Sequence, residues 1–289
     1  MLGPGSRIAV VAPGGAVLSE RLRAGIACLV DWGWQPVLAP HLYDRHRYLA
    51  GALPDRATDL AWALTATDID AVWFARGGYG CAQVLATIPW NRVLRRPVIG
   101  FSDATALQWA MARRGLPSVH GPVLTTLMEG SAAVDDDSRA AIRRLLARGE
   151  STPLAGQHIC GPPGPVRGRL VGGNLTVLAS LAGTCEQFHA DDAILFLEDV
   201  GEKPYRIERM LCQLLDSGGL RGVRGVALGE FVDCATGTGP SLLRDIWLDH
   251  LAPFHVPVIE HVPVGHGKRN IAVNYGAEVE LHSAGLRWP

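Results

Sequence analysis

Residues 69–80, IDAVWFARGGYG, carry an apolar run straight into glycines, and residues 96–102, RPVIGFS, make the same step into a serine. Short apolar runs without alternation, closed by turn residues, read as strands buried on both faces, as in a parallel sheet. Upstream, RIAVVA (7–12) ends at Pro13-Gly14-Gly15 and reads as a first strand of the same kind. SERLRAGIACLVDWG (19–33) then predicts a helix with Ser19 as N-cap and Gly33 at its stop. WQPVLAP (34–40) is a second strand, and a polar loop over 41–54 leads into a helix over 55–68. A helix from Cys81 and another over 103–115 follow the quoted strands. Strands alternating with helices predict an α/β lobe, with a mostly parallel sheet flanked by helices.

The pattern changes over 149–168, GESTPLAGQHICGPPGPVRG, which is rich in glycine and proline and has no periodicity. It reads as a linker. Beyond it come RLVGGNLTVLASLAG (169–183), a strand AILFLED (193–199), a helix over about 206–216 and a strand GVALGEFVD (225–233). A helix around SLLRDIWLDHL (241–251), the segment PVIEHVPVGHG (257–267) and a strand-like AEVELH (277–282) complete the chain. The division expected is an N-terminal α/β lobe over 1–148, the linker over 149–168, and a smaller C-terminal α/β lobe over 169–289.

A chain of 289 residues has room for two such cores. A formal net charge of -1 argues against a nucleic-acid partner, which needs a basic surface. The first apolar run is too short for a membrane span, and its flanks do not fit a secretory signal, so the cytoplasm is the default location. The six cysteines stand singly, without a C-x-x-C pair, which fits reduced thiols better than a zinc site or a disulfide framework.

In VIGFSDATALQWA (98–110) Ser102 stands where a strand becomes a helix, with Gly100 allowing an unusual turn. That resembles a nucleophile elbow, in which the next amide and the helix N-terminus face a developing oxyanion. A helix cap made by Ser102 or Asp103 explains the same residues. Arg76-Gly77-Gly78-Tyr79-Gly80 follows a strand at the sheet edge where ligands bind, and lacks the spacing of a nucleotide-binding loop. Glycines there admit an anionic oxygen close to backbone amides, or simply make a tight turn. The strand AILFLED delivers Glu198 and Asp199 at its end, followed by Glu202, Lys203, Tyr205 and Arg206. A carboxylate there is able to orient a histidine and stabilise its charged form. His266, between glycines in PVGHGKRN, suits an exposed imidazole, and its spacing from His261 does not match a helical zinc motif. His120 is a second candidate, read as structural.

Taken in order, RGGYG, GFSDATAL, HGPV, GGNLTVLASLAGT, LEDVGEKPYRIERML and GHG resemble the LD-carboxypeptidases of the muramoyl-tetrapeptide carboxypeptidase family, across nearly the whole chain. The resemblance implies a Ser-Glu-His triad at Ser102, Glu198 and His266. It implies an oxyanion hole from the amides of Asp103 and Gly78, with Gly77 the lesser candidate, in a cleft between the lobes. Arg76, Tyr79, Glu202 and Arg206 become candidate substrate contacts, and Arg76, Lys203 and Arg206 candidate partners for a terminal carboxylate. It further implies a homodimer, no metal or organic cofactor, and a muropeptide substrate losing a terminal D-alanine in cell-wall recycling. Two stretches depart from the family pattern: Gly14-Gly15 where serine is frequent, and Val273-Asn274 where leucine-proline is usual. Two rivals are weighed beside it. One is an immunity-type relative using the same triad on a peptidyl-nucleotide, and the other a non-catalytic ligand-binding protein with Ser102 as a cap.

Overall fold

The structure, a computed structural model, describes residues 1–127, 133–234 and 241–289. The first half runs β1 (Arg7–Val11), α1 (Ser19–Asp31), β2 (Gln35–Leu38), α2 (Leu53–Thr65), β3 (Ala71–Phe74), α3 (Cys81–Val84), β4 (Val98–Gly100), α4 (Thr105–Ala112), β5 (Ser118–His120) and α5 (Asp136–Arg148). Its strands lie side by side as β2-β1-β3-β4-β5, all parallel. Strand β3 shows why its sequence does not alternate. Val72 and Phe74 enter one hydrophobic cluster while Ala71 and Trp73 enter another, so both faces of the sheet are covered.

The second half runs β6 (Leu154–Ala155), β7 (Gln157–Cys160), β8 (Val166–Asn174), α6 (Leu175–Ser180), β9 (Ala193–Val200), α7 (Pro204–Asp216), β10 (Gly225–Val232), α8 (Ser241–Leu251), β11 (Val258–Glu260), β12 (Val273–Tyr275), β13 (Glu278–His282) and β14 (Gly285–Arg287). Parallel strands β8-β9-β10-β11 form the centre of an eight-stranded sheet. Antiparallel strands finish both edges: β7 on one side, and β13, β14 and β6 on the other.

Three expectations change. The stretch 149–168 is not irregular throughout, because β6, β7 and the start of β8 lie in it and join the second sheet. The sheets do not divide the chain at a single point either. Strand β12 leaves the second half and pairs antiparallel with β5 as the sixth strand of the first sheet. Ser19 is the first helical residue of α1; Leu18 occupies the N-cap and makes no side-chain capping bond.

The strand order places the functional loops. In the first sheet the order reverses at β1, so the crevice outside the carboxyl ends of β1 and β3 is open to a ligand. Gly14-Gly15 follows β1 and Arg76-Gly77-Gly78 follows β3. In the second sheet, β9 and the loop after β11 reach the same place.

Candidate active site

Ser102 sits just beyond β4, and its backbone takes φ 61°, a left-handed conformation. For a residue with a side chain this costs of order 1–3 kcal/mol and is held by its surroundings. The unusual turn is therefore at the serine itself. Gly100 is needed for space, since a Cβ there would meet the Ala104 Cβ at 2.8 Å and the Phe74 Cβ at 3.2 Å. Ser102 is not a cap: the residue before its short 3-10 turn, Phe101, is the N-cap, with no side-chain capping bond. Its Oγ lies instead 3.2 Å from His266 Nε2.

His266 Nδ1 lies 2.6 Å from Glu198 Oε2, which completes a chain of three side chains. Glu198 is held at the end of β9 with no exposed surface. Gly265 lets the histidine loop lie against it. A Cβ at Gly265, whose φ is +113°, would meet the Glu198 Cβ at 2.7 Å. The Phe101 ring packs 4.7 Å from the imidazole and fixes its other face. Burial works against a charged imidazole, but the attraction and hydrogen bond of Glu198, with Asp199 behind it, raise the His266 pKa above its ordinary value. Such a chain is able to draw a proton from a hydroxyl onto an imidazole and stabilise the cation formed.

The neighbouring acid has a different task. Asp199 is buried and accepts from Asn174 Nδ2 at 3.0 Å and from Thr176 N at 2.9 Å, tying β9 to the start of α6. His120 is fully buried, with its ring edge-on to Phe196 at 4.9 Å. Burial, with His266 nearby, pushes its pKa down to about 3, so it stays neutral.

The serine and histidine open on a cleft of about 270 Å³, which Arg76, Gly77 and Gly78 also line. A Cβ at Gly77 would meet the Ser102 Oγ at 3.0 Å, so this glycine lies directly beside the hydroxyl. The amides of Gly77 and Gly78 donate to no protein group among the described residues. Arg76 is half-buried; its Nη1 donates to the Ala16 carbonyl at 2.7 Å, which aims the guanidinium along the cleft wall. The other expected contacts fall elsewhere. Tyr79 is exposed and its hydroxyl accepts from Gln83, while Glu202 pairs with Arg206 at 3.5 Å; none of the three lines the cleft. Lys203 does not line it either.

Arg21, Thr125 and Thr126 do line the cleft, and sequence reasoning passed over them. Arg21 lies in the first turns of α1, directly after the crevice loop of β1, and that position was the available signal. Among the described residues, one His-Asp-Asp group has metal-ligand spacing, His41 with Asp44 and Asp55, and it lies away from this cleft.

Comparison with known proteins identifies the family. Residues 8–121 match the LD-carboxypeptidase N-terminal domain and residues 167–281 the LD-carboxypeptidase C-terminal domain. A murein tetrapeptide carboxypeptidase of Pseudomonas aeruginosa is 42% identical, over 98% of this chain and 95% of that protein. The chain belongs to the LD-carboxypeptidase family. The solved structure of the muramoyltetrapeptide carboxypeptidase from Oxalobacter formigenes is 28% identical with a TM-score of 0.82, covering 98% of this chain and 100% of that one. The microcin C7 self-immunity protein MccF shares the fold, with a TM-score of 0.85 at 19% identity, over 99% of this chain and 96% of that one. One departure from the family pattern has a visible cause. A Cβ at position 14 would lie 2.2 Å from Asp103 Oδ2, so a side chain there requires that carboxylate to move.

Proposed function

We propose that the protein is a serine carboxypeptidase that hydrolyses the L,D-peptide bond to the C-terminal D-alanine of murein tetrapeptides. The observation that carries this reading is the hydrogen-bonded chain Glu198–His266–Ser102, ending at a cleft that a guanidinium lines. His266 Nε2 removes the proton from Ser102 Oγ, which attacks the carbonyl carbon of the scissile bond. The carbonyl oxygen becomes an oxyanion and is held by the amides of Asp103 and Gly78. The imidazolium, stabilised by Glu198, gives its proton to the departing amine, and D-alanine leaves. Water then attacks the acyl-enzyme, losing its proton to His266, and Ser102 is regenerated.

The similarity to the Pseudomonas aeruginosa enzyme supports the substrate class, and Arg76 supplies a cation for the free carboxylate of the terminal residue. The reading extends to a cytoplasmic homodimer acting in cell-wall recycling. No helix among the described residues is long and apolar enough to cross a membrane.

The test is release of D-alanine from an L,D-tetrapeptide, compared with cleavage of an aminoacyl-sulfamoyl adenylate. Wild-type protein releases D-alanine, and Ser102→Ala loses several orders of magnitude in rate. Preference for the nucleotide-bearing compound would transfer the protein to the immunity-type reading. A folded wild-type protein that a fluorophosphonate fails to label at Ser102 would end the hydrolase reading altogether.

A further inference from the structure

Two buried charged side chains beside the cleft loops, Asp103 and Arg56, which make no direct ion pair, are not explained by the reaction as written above. Neither side chain is in a position to meet a substrate, since Asp103 retains 4% of its surface and Arg56 2%. A buried charge is retained only where partners satisfy it, so the partners show what these two do.

The partners are the loops around the cleft. Arg56 projects from α2, and its Nη1 donates to the Pro13 carbonyl at 2.6 Å and to the Gly80 carbonyl at 3.1 Å. Its Nε donates to the Gly51 carbonyl at 3.3 Å, and its Nη2 to Gln83 Oε1 at 2.8 Å. One guanidinium thus holds the loop after β1, the loop after β3, and the loop before α2 itself. Asp103 closes the arrangement from the other side. Its Oδ2 accepts the Cys81 amide at 2.9 Å, at the end of the glycine loop. The fit is tight. A Cβ at Gly80 would lie 2.8 Å from Arg56 Nη1, and one at Gly14 would lie 2.2 Å from Asp103 Oδ2.

Asp103 is the residue after the nucleophile, and Gly78 lies three residues before Cys81, whose amide its carboxylate accepts. We propose that Asp103 and Arg56 are positioning residues that fix the two donors of the oxyanion hole, the amides of Asp103 and Gly78, at one spacing. The inference rests on the serine-hydrolase reading and adds to it a reason for a buried carboxylate beside the nucleophile. Two donors on separate loops stabilise an oxyanion only if their separation does not have to be set during the reaction. The side chain of Asp103 ties its own backbone to the second loop, and Arg56 ties that loop to the sheet edge. Burial pushes the Asp103 pKa up to about 6 against the pull of the Cys81 and Gly80 amides and Arg56. The carboxylate is therefore the charged, stronger acceptor at neutral pH.

The experiment compares wild-type protein with Arg56→Met, Arg56→Lys, Asp103→Ala and Asp103→Asn. The readouts are kcat and KM for D-alanine release, the rate of fluorophosphonate labelling of Ser102, and melting temperature. Arg56→Met and Asp103→Ala are expected to lower kcat by about 10- to 100-fold, part of the loss that follows removal of an oxyanion donor. KM should stay within about twofold, because ground-state binding does not use the hole. Labelling should slow in parallel, since phosphonylation also places an oxygen between the two amides. Asp103→Asn keeps one carbonyl acceptor and Arg56→Lys keeps the charge, so both should recover part of the rate.

Labelling and kcat at wild-type levels in the folded variants would overturn the positioning role alone. So would a loss that follows melting temperature with no recovery in the conservative pair. If Arg56→Met fails to fold, Arg56→Lys and Asp103→Asn decide the matter by the same rates. Wild-type protein that labels at Ser102 but releases no D-alanine overturns the substrate reading and leaves this inference to the labelling rates. A wild-type protein that does not label overturns both.

Discussion

Among the described residues the Glu198 side chain makes one hydrogen bond, to His266 Nδ1, and it has no exposed surface. That concentrates its effect on a single imidazole. The raised pKa of His266 comes from Glu198 acting against burial, so its charged form persists to higher pH than an ordinary histidine's. In the proposed mechanism the general base must be neutral, so activity is expected to fall as pH drops through this raised value. Glu198→Gln keeps a hydrogen-bonding atom near Nδ1 but removes the charge. It should lower kcat by about 10²- to 10⁴-fold and move the acid limb of the kcat/KM profile to lower pH. An acid limb that stays in place would mean that another group controls it. For stability the sign is the reverse: a raised histidine pKa contributes at low pH, and the contribution is lost as pH rises through the folded value. The three side chains were drawn together by the order of motifs that resembles the family; their positions at strand ends or between glycines left a cap or a surface turn open as well. The strain was not legible, since a φ of 61° at Ser102 is a property of its surroundings and nothing in GFSDA marks it apart from a cap.

Among the elements, the long central strands and their helices were readable because burial on both faces leaves unbroken apolar runs. The short ones were not. Strand β12 is only Val273–Tyr275, and it pairs in the sheet of the other half, which periodicity does not reveal. Strands β6 and β7 lie within a stretch whose glycines and prolines suggest a linker, yet they close edges of the second sheet. Helix α5 was not assigned from the sequence, although its signals are present: Asp135 caps it by accepting from Ser138 N at 2.8 Å, and Gly149 ends it with φ 73°. Those signals fit the usual pattern of an acidic N-cap and a glycine stop. The end of β12 is also a joint between sheets. Tyr275 is buried; its hydroxyl donates to the Gly172 carbonyl at 2.9 Å and accepts the Gly172 amide at 3.0 Å, fastening β12 to β8. Tyr275→Phe removes both bonds and leaves a buried amide without a partner, at a cost of about 1–3 kcal/mol. Calorimetry should show a lowered melting temperature with KM nearly unchanged. An unshifted melting temperature would mean that the joint contributes nothing.

Across the whole molecule, the two sheets divide the work: the first supplies the serine, the glycine loop and Arg76, and the second supplies the acid and the histidine. The assembly was readable as an order of motifs, whereas the cleft wall was not, because its lining depends on how loops from β1, β3 and β5 converge. Tyr79, Glu202 and Arg206 were drawn in by their position beside motifs, and the cleft is instead lined by Arg21, Arg76, Thr125 and Thr126. This bears on what a carboxypeptidase must distinguish, a free terminal carboxylate from an internal peptide bond. In the proposed reading a guanidinium on the wall attracts the carboxylate and has nothing comparable to offer an amide, so recognition there is expected to be mainly by charge. Arg76 is the better placed of the two cations, being half-buried and held by the Ala16 carbonyl, whereas Arg21 is exposed and screened by solvent. Arg76→Ala should raise KM for a free-acid tetrapeptide by about 10- to 100-fold, the loss of one hydrogen bond to a charged group. The same substitution should leave hydrolysis of the matching C-terminal amide, slow in wild-type protein, almost unchanged. Equal losses on acid and amide would assign Arg76 to shaping the cleft. An unchanged KM on both, with Arg21→Ala raising it for the acid alone, would give carboxylate recognition to the exposed cation.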